Sequence, residues 1–379
     1  MHHDLIVFAE DWGGLPSSTQ HLIKQLAKTR KVIWINSIGL RQPTFTLRDI
    51  KRAFNKLIAT KVDSETPQTS VPVNPHFQII NPRTLPAPRS HFARFIAKKL
   101  LLLQLKPIIK QAQLQDPILW TSLPTAVDVA GYLNESALVY YCGDDFSGLA
   151  GVDHATVAQR EYELSLKADL IMVSSDKLLQ QFPSSRTQLL THGVDFTLFA
   201  TPVARANDLP DNGRPIAGFY GSISAWLDID LLAAIIKKMP HWQFVFIGAT
   251  VVDTCKISIF ENVTFLGPRD HSQLPSYCQH WTVSLLPFVD NAQIQACNPL
   301  KLKEYLAAGR PIISTDFAAI TPYKGLVQIA NNVDAMVEAL NASEQLQTLP
   351  HFSDALQSKV INKSWESRAT EVNHWLECL

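Results

Sequence analysis

The segment at residues 298–315 constrains the fold most, because it predicts a helix and a buried strand in direct succession. It reads Asn-Pro-Leu-Lys-Leu-Lys-Glu-Tyr-Leu-Ala-Ala-Gly-Arg-Pro-Ile-Ile-Ser-Thr. Pro299 suits the first turn of a helix, where its missing N–H has no cost, and Gly309 can end the helix in a left-handed cap. Pro311 then forces an extended exit into a strand that begins at Ile312. The segment therefore predicts a short helix that leads into a short strand.

Three polar side chains share one edge of this predicted helix. Asn298, Lys301 and Glu304 are spaced three residues apart, so they lie near one another along the helix surface. A helix N-terminus carries free N–H groups and about half a positive charge, which suits a phosphate, and Lys301 adds a full charge. Glu304 can accept hydrogen bonds from hydroxyls one turn further on. A phosphate beside hydroxyls indicates a nucleoside diphosphate with its ribose.

The pattern Asn-Pro-Leu-Lys-Leu-x-Glu-Tyr-Leu-Ala-Ala-Gly-x-Pro resembles the donor-binding signature of bacterial glycosyltransferases with the GT-B fold. It is most similar to enzymes that build cell-surface polysaccharides, of the teichuronic-acid and xanthan types. The resemblance assigns five residues of the motif to the donor: Asn298, Pro299, Leu300, Lys301 and Glu304. Many of these enzymes have two glutamates eight positions apart. Glu304 matches the second, which binds the donor ribose, and Ala296 stands at the first place. The alternative is an ordinary amphipathic helix capped by glycine.

Length, charge and cysteine usage bound the kind of protein. The chain has 379 residues, 46% of them apolar, which is enough for two domains. Net charge is zero, but residues 20–110 hold 17 Lys+Arg against 3 Asp+Glu, a net of +14. This imbalance indicates an anionic surface or acceptor as a partner. Five scattered cysteines predict a reduced, cytoplasmic protein, and we expect no signal peptide and no membrane-spanning segment.

The start of the chain predicts a doubly wound domain over residues 1–200. A strand at residues 5–8 opens into a loop with Gly13 and Gly14, and a helix follows from about residue 18. The chain has no Gly-x-Gly-x-x-Gly pattern here, which disfavours a dehydrogenase. In the resembling enzymes this loop faces the donor phosphates and the acceptor. A plain tight turn is the alternative interpretation.

A pair of aspartates follows the predicted strand at residues 137–142. Asp144 and Asp145 stand at its carboxyl end, where ligands of parallel sheets collect. In the xanthan type the corresponding aspartate is the general base, and Asp144 is the match. Adjacent carboxylates repel, which can raise the pKa of one of them. The alternative role is capping of a helix or loop.

Further on, residues 189–195 resemble the segment that closes the first half of these enzymes, so His192 is either a donor-phosphate contact or a satisfied turn histidine.

A basic, leucine-rich helix is predicted over residues 90–113, and another helix near residues 47–59. The former carries Arg94, Lys98, Lys99, Lys106 and Lys110 among its apolar residues. A basic amphipathic helix can lie in a membrane interface. The alternative is a domain helix with its apolar face in the core.

The second half of the chain predicts a second doubly wound domain. Residues 201–214 form a linker by composition, residues 215–362 the nucleotide-sugar-binding domain, and residues 363–379 a helix that, by resemblance, crosses back to the first domain. Gly221 and Ser222 follow its first strand. Many GT-B enzymes have an arginine and a lysine here that grip the diphosphate, and this chain has Ser222 and Leu227 in their places. Arg269 falls where the fold holds the nucleotide base, mainly through backbone contacts.

Together these features predict an α/β protein of the GT-B type, with two Rossmann-like doubly wound domains facing a cleft. The expected function is glycosyl transfer from a nucleotide-diphosphate sugar, UDP-linked, to a hydroxyl of a surface polysaccharide or lipid-linked acceptor. We expect no metal, no further cofactor and no nucleic acid partner, and docking to the inner face of the cytoplasmic membrane. The alternatives are a nucleotide-sugar 2-epimerase of the same fold and a non-catalytic nucleotide-sugar-binding protein.

Overall fold

The computed structural model describes residues 3–14, 17–37, 76–85, 90–145 and 153–379. The chain divides into two compact units. Unit 1 comprises Met1–Leu190 together with Ala369–Leu379, and unit 2 comprises Thr191–Arg368. The helix predicted near residues 47–59 lies outside the described residues.

Unit 1 is built on a parallel sheet that has seven strands among the described residues. They are β1 (Leu5–Phe8), β2 (Val32–Ile35), β3 (Phe77–Ile80), β4 (Ile118–Thr121), β5 (Ala137–Cys142), β6 (Leu170–Val173) and β7 (Thr187–Leu189). Their order across the sheet is β3-β2-β1-β4-β5-β6-β7. The connecting helices are α1 (Ser18–Leu26), α2 (His91–Ala112), α3 (His154–Lys167) and α4 (Asp176–Leu179), with 3-10 turns at Pro124–Asp128 and Ser184–Arg186.

The central strands of unit 1 are apolar on both faces, as strands of a parallel sheet covered by helices must be. Every residue of β1 is fully buried, and β4 and β5 are buried along their whole length. β1 pairs with β2 on one side and with β4 on the other. The direction of winding therefore reverses between β1 and β4.

Unit 2 repeats this plan with a parallel sheet of six strands, all within its fully described residues. They are β8 (Ile216–Tyr220), β9 (Gln243–Ile247), β10 (Val263–Gly267), β11 (Val283–Leu286), β12 (Ile312–Ser314) and β13 (Gln328–Ile329), in the order β10-β9-β8-β11-β12-β13. Its helices are α5 (Phe196–Ala200), α6 (Ile229–Lys238), α7 (Cys255–Ser258), α8 (Pro275–Cys278), α9 (Ala292–Ala296), α10 (Leu300–Ala308), α11 (Val333–Leu346) and α12 (Phe352–Ser358). Turns of 3-10 helix occur at His271–Gln273 and Ala318–Tyr323. Both units thus have the doubly wound α/β fold that the sequence predicts.

The helix and strand predicted at residues 298–315 are confirmed. α10 ends at Gly309, which adopts φ 72° in the left-handed region, and β12 follows directly. Pro299 stands one residue before the helix, at its N-cap, and not in its first turn. The helix predicted at residues 90–113 is also confirmed as α2.

The boundary between the units falls at residue 190, ten residues before the predicted one at 200. Phe199, on α5, is fully buried in the core of unit 2. The segment predicted as a linker, residues 201–214, also packs on unit 2. Leu209 joins the same core, and Asp208 pairs with Arg269. Composition alone indicated a linker because the stretch is mostly polar and a single buried side chain, that of Leu209, joins it to the core.

The last helix, α13 (Trp365–Leu376), has residues in both units. Its first residues belong to unit 2, where the Trp365 ring lies against Gly193. From Ala369 onward it belongs to unit 1, where the Asn373 side chain accepts hydrogen bonds from the guanidinium of Arg30.

Candidate functional site

The sheet of unit 2 reverses its winding between β8 and β11, and in doubly wound domains ligands bind at that point, beyond the carboxyl ends of the strands. The three strands on one side of this point each end at or just before a glycine with positive φ: Gly221, Gly248 and Gly267. Gly248 approaches Gly221 so closely that a Cβ built on it would lie 2.0 Å from the Gly221 carbonyl oxygen. Only glycines allow this edge of the sheet to pack so tightly.

The Lys301 ammonium lies directly over Gly221. A Cβ at position 221 would come within 2.6 Å of Lys301 Nζ. The amine also lies 4.7 Å from the ring centroid of Phe219 and 5.5 Å from that of Phe288, so aromatic faces attract its charge. Among the described residues it forms no hydrogen bond or ion pair. Gly221 and Lys301, two of the residues predicted at the donor, are therefore brought together at the switch point.

The electrostatics of Lys301 suit an anionic ligand. Burial lowers the pKa of its amine from 10.5 to about 8, and the negative charge of Glu304 only partly opposes this shift. Burial removes water from around the charged amine, and the attraction of the aromatic rings replaces only part of the lost solvation free energy. An anion placed next to Nζ would restore the lost stabilisation.

Glu304 is brought to the same edge, but its carboxylate is already held by the protein. It is 8% exposed. Its Oε2 accepts a hydrogen bond of 2.6 Å from the Tyr220 hydroxyl, and its Oε1 lies 2.7 Å from His271 Nε2. Sequence reasoning did not single out Tyr220, His271 or Gly248. The position of Gly248 immediately after β9 was a signal that could have identified it.

The remaining residues predicted at the donor have different surroundings. Ser222 is exposed beside Gly221, whereas Leu227 is buried. The Arg269 guanidinium donates hydrogen bonds to Asp208 and to the Tyr277 hydroxyl, so protein groups already hold the side chain that was predicted near the nucleotide base. Asn298, Pro299 and Leu300 lead into α10 and are half-buried or buried, and Ala296 is 1% exposed at the end of α9.

His192 is buried within unit 2. It is 7% exposed, and its ring lies 6.5 Å from that of Trp365. Its carbonyl oxygen accepts a hydrogen bond from the buried ammonium of Lys303, which anchors the opposite side of α10.

A cavity of about 530 Å³ also lies within unit 2. Phe288 lines it, and the same ring lies under the Lys301 amine. Its polar lining includes Asp228, Asp290, Asp316 and Lys324. Asp228 caps α6 by accepting from the Leu231 N–H, so part of this lining has a structural role.

Unit 1 gathers three carboxylates near the carboxyl ends of β1 and β5: Glu10, Asp144 and Asp145. Asp144 as a residue is exposed, yet the surrounding protein crowds its carboxyl group. This desolvation raises the pKa of Asp144 above its ordinary 3.8, and the negative charges of Glu10 and Asp145 raise it further. The raised pKa that the sequence predicts for one member of the pair is thus found at Asp144. Glu10 was not predicted to take part.

Buried groups hold the Asp144 turn in place. Ser174 Oγ donates to the Gly143 carbonyl at 2.7 Å, and Cys142 Sγ lies 3.3 Å from the Asp144 carbonyl. Behind them, the Tyr140 hydroxyl donates to Glu161 at 2.5 Å. The pKa of Glu161 is raised by its burial. The turn therefore presents the Asp144 side chain from a fixed backbone.

The loop with Gly13 and Gly14 is closed by its own hydrogen bonds. The Gly13 N–H donates to the Gln20 side chain at 3.3 Å, and the Gly14 N–H donates to the Asp11 carbonyl at 3.1 Å. Gly13 has φ 80°, which favours glycine there. Since both N–H groups have protein acceptors, this loop has the bonding of a tight turn.

The solvent face of α2 combines apolar and basic residues in one stripe. Phe92, Phe95 and Leu103 are 75%, 56% and 73% exposed. Exposed lysines continue the same helical spacing: Lys99, Lys106 and Lys110. We call these six residues the α2 stripe. Arg94 was predicted with these cations, but it forms ion pairs with Asp128 and Glu163 and is not available to a surface. No helix in the described part of the chain is both long and apolar enough to cross a membrane.

Comparisons with known proteins agree with this geometry. Residues 214–343 match the family model described as glycosyl transferases group 1. A Bacillus subtilis (strain 168) protein named "Putative teichuronic acid biosynthesis glycosyltransferase TuaH" is 27% identical over 218 residues, which are 52% of this chain and 55% of that protein. The chain thus spans about half the length of this curated relative.

Solved structures resemble the whole chain. HepE of Anabaena, in complex with UDP and glucose, has a TM-score of 0.69 at 12% identity, with full coverage of both chains. Sucrose-phosphate synthase of Thermosynechococcus elongatus has a TM-score of 0.68 at 15% identity, over 99% of this chain and 98% of that one. At such identities the likeness shows the fold, which is the predicted one. Residues 214–343 thus match the group 1 glycosyl transferases, and the chain has the GT-B fold.

Proposed function

We propose that this protein is a glycosyltransferase that moves a sugar from a nucleotide-diphosphate sugar to a hydroxyl of a surface polysaccharide or lipid-linked acceptor. The observation that carries the proposal is the Lys301 amine, held over Gly221 at the switch point of the unit 2 sheet. The group 1 domain over residues 214–343 and the relative named for teichuronic acid biosynthesis support it. A UDP-linked donor is supported by the UDP complex of HepE.

The proposed reaction breaks the bond between the anomeric carbon and the phosphate oxygen. The diphosphate leaves with the electron pair, and the acceptor oxygen forms the new bond to the anomeric carbon. Negative charge develops on the leaving oxygen, where Lys301 and the N-terminus of α10 stabilise it more in the transition state than before. Glu304 accepts hydrogen bonds from the ribose.

We assign the proton of the acceptor hydroxyl to Asp144. Its raised pKa makes it a stronger base than an ordinary aspartate. Glu10 and Asp145 tune this basicity through their charge. Retention of full activity in Asp144→Asn would remove Asp144 from this role.

Thermal shift with a panel of nucleoside diphosphates and their sugars tests donor binding. A ligand at 100 times its Kd stabilises a protein by about 2.7 kcal/mol, so the right nucleotide should stand apart. The same donor is then incubated with and without glycan acceptors, and the products are separated by chromatography. Nucleoside diphosphate release that requires an acceptor is the expected result. Release of an epimerised donor without an acceptor, or donor binding without turnover, would refute the proposed transferase activity.

We further propose that the α2 stripe docks unit 1 on the anionic inner face of the cytoplasmic membrane, where a lipid-linked acceptor resides. Three exposed lysines on one helix face would each contribute about 1 kcal/mol near such a surface. The exposed side chains of Phe92, Phe95 and Leu103 lie on the same stripe as these lysines and can insert into the membrane interface. The basic excess of residues 20–110 favours the same kind of anionic partner.

Sedimentation with vesicles tests this docking. We expect pelleting with vesicles that contain anionic phosphatidylglycerol and none with neutral phosphatidylcholine, and 1 M salt should reverse it because the Debye length falls to about 3 Å. Phe92→Ser with Phe95→Ser should abolish pelleting. Ile259→Ser is a matched control, since Ile259 is 74% exposed but lies in unit 2. Equal pelleting of both variants, or none by the wild type at low salt, would refute docking.

A further inference from the structure

Two protein groups fix the carboxylate of Glu304 from different elements. Tyr220, at the end of β8, donates its hydroxyl to Oε2, while its own backbone N–H donates to the Tyr305 hydroxyl at 3.1 Å. Burial, followed by the charge of Glu304, raises the pKa of Tyr220 well above its ordinary value, so it remains a neutral donor. This side of the carboxylate is therefore anchored in the core.

The other side is held by His271, which opens the 3-10 turn after β10. Its ring packs edge-on against Phe199, with centroids 5.3 Å apart and planes at 64°, and its Nε2 lies 2.7 Å from Glu304 Oε1. The turn itself is fixed by a capping box between Asp270 and Gln273. His271 thus links the segment after β10 to the carboxylate on α10.

We propose that His271 is a positioning residue that sets the ribose specificity of the nucleotide site through Glu304. This inference depends on the proposed binding of ribose by Glu304. An ionised carboxylate has about four lone-pair sites, so the two oxygens can accept from ribose hydroxyls as well as from His271 and Tyr220. Held in this orientation, the two oxygens match the two hydroxyl donors of a ribose. Without His271, Oε1 is free to turn away from the second hydroxyl.

The discrimination follows from hydrogen bonding to a charged acceptor. A 2′-deoxyribose lacks one of the two donors and leaves a carboxylate lone pair without its ligand contact. We expect the wild type to bind a ribonucleoside diphosphate about 10–100-fold more tightly than its 2′-deoxy form. In His271→Leu this preference should fall to about two-fold. In His271→Gln, whose amide N–H can still reach Glu304, most of it should remain.

Calorimetric titration tests the inference, with UDP, GDP, ADP and CDP, their 2′-deoxy forms and inorganic pyrophosphate as probes. Pyrophosphate has no nucleoside, so its affinity in His271→Leu should equal that of the wild type, whereas a general loss of structure would weaken all ligands. His271→Asn, whose side chain is too short to reach Glu304, replaces the leucine variant if that one does not fold. His241→Leu changes an exposed histidine of the same unit and serves as control.

Each outcome has a distinct meaning. An unchanged ribose preference in His271→Leu or His271→Asn overturns the positioning role of His271. Equal binding of ribose and deoxyribose by the wild type overturns it too, and leaves phosphate binding by Lys301 standing. Failure of every nucleoside diphosphate to bind overturns the proposed function itself.

Discussion

Replacement of Lys301 by methionine should affect ligand affinity and the free energy of unfolding in different ways. Methionine keeps much of the aliphatic stem between Phe219 and Phe288 but has no charge. With a pKa of about 8, the amine of the free wild-type protein is about nine-tenths charged at pH 7 and about one-tenth charged at pH 9. Only the charged form attracts a diphosphate. Binding above pH 8 must therefore take up a proton.

The size of the effect on binding follows from this titration. If a bound diphosphate keeps Lys301 charged, the apparent Kd of the wild type should rise about ten-fold between pH 7 and pH 9. Lys301→Met should bind about 10–100-fold more weakly than the wild type at pH 7, because a charge-assisted bond contributes about 1.5–3 kcal/mol. Its Kd should change little with pH, apart from titration of the ligand itself.

As the pH rises and ligand binding weakens, the free energy of unfolding of the wild type should increase. The pKa of Lys301 is lowered in the folded state, so the charged amine destabilises the fold below pH 8, where folded and unfolded states are both protonated. Between about pH 8 and 10.5 the unfolded state binds more protons, and the free energy of unfolding rises with pH. Relative to Lys301→Met, the wild type should gain about 2 kcal/mol between pH 7 and 9.5.

Calorimetry of nucleoside diphosphate binding and urea denaturation, each at several pH values, measure the two effects. Lys238→Met is the matched control, because Lys238 is an exposed lysine of unit 2 that pairs with Asp334. The control should behave as the wild type in both assays. A Kd of the wild type that does not rise between pH 7 and 9, or a Lys301→Met variant with wild-type affinity, would refute the role of the buried charge.

Three further predictions concern other groups. Asp144→Asn should lower transfer about 10²–10⁴-fold in a nucleotide-release assay without weakening donor binding, and Asp145→Asn should not. Glu304→Ala should raise the calorimetric Kd of the nucleoside diphosphate while pyrophosphate binds as before; equal affinities would exclude Glu304 from the site. Asp128→Asn should lower the urea-derived free energy of unfolding by about 3 kcal/mol, because Asp128 pairs with the buried Arg160; a near-neutral change would mean that the pair contributes little.

Local sequence patterns predicted the elements around the site because their causes are local. The Gly309 cap, the proline exit and the apolar run at β12 act within a few residues, and the structure has each of them. The proximity of Lys301 to Gly221 was also predictable, since a motif on α10 and a glycine after β8 meet at the switch point of a doubly wound sheet.

Contacts between distant residues were not predictable in the same way. His271 reaches Glu304 across 33 positions from an irregular turn, with no motif to connect them. The buried face of α2 could not be chosen either, because leucines occur all around that helix and its core face is Ala97, Leu101, Leu102 and Leu105. Arg94 looked like a surface cation because its partner Asp128 lies on a separate turn.

The helix α10 connects stability with ligand binding in a single element. Leu302 and Tyr305 are fully buried, and Lys303 donates to the His192 carbonyl, so this helix is fixed on its protein side. On its ligand side, Glu304 accepts a hydrogen bond from Tyr220 and contacts His271, whereas the Lys301 amine lies against aromatic rings and forms no ion pair in the described part of the chain. The fold thus gives the carboxylate hydrogen-bonding partners and leaves the cation undersolvated. We expect a diphosphate to supply the missing negative charge, so phosphate binding should contribute most of the affinity of the site.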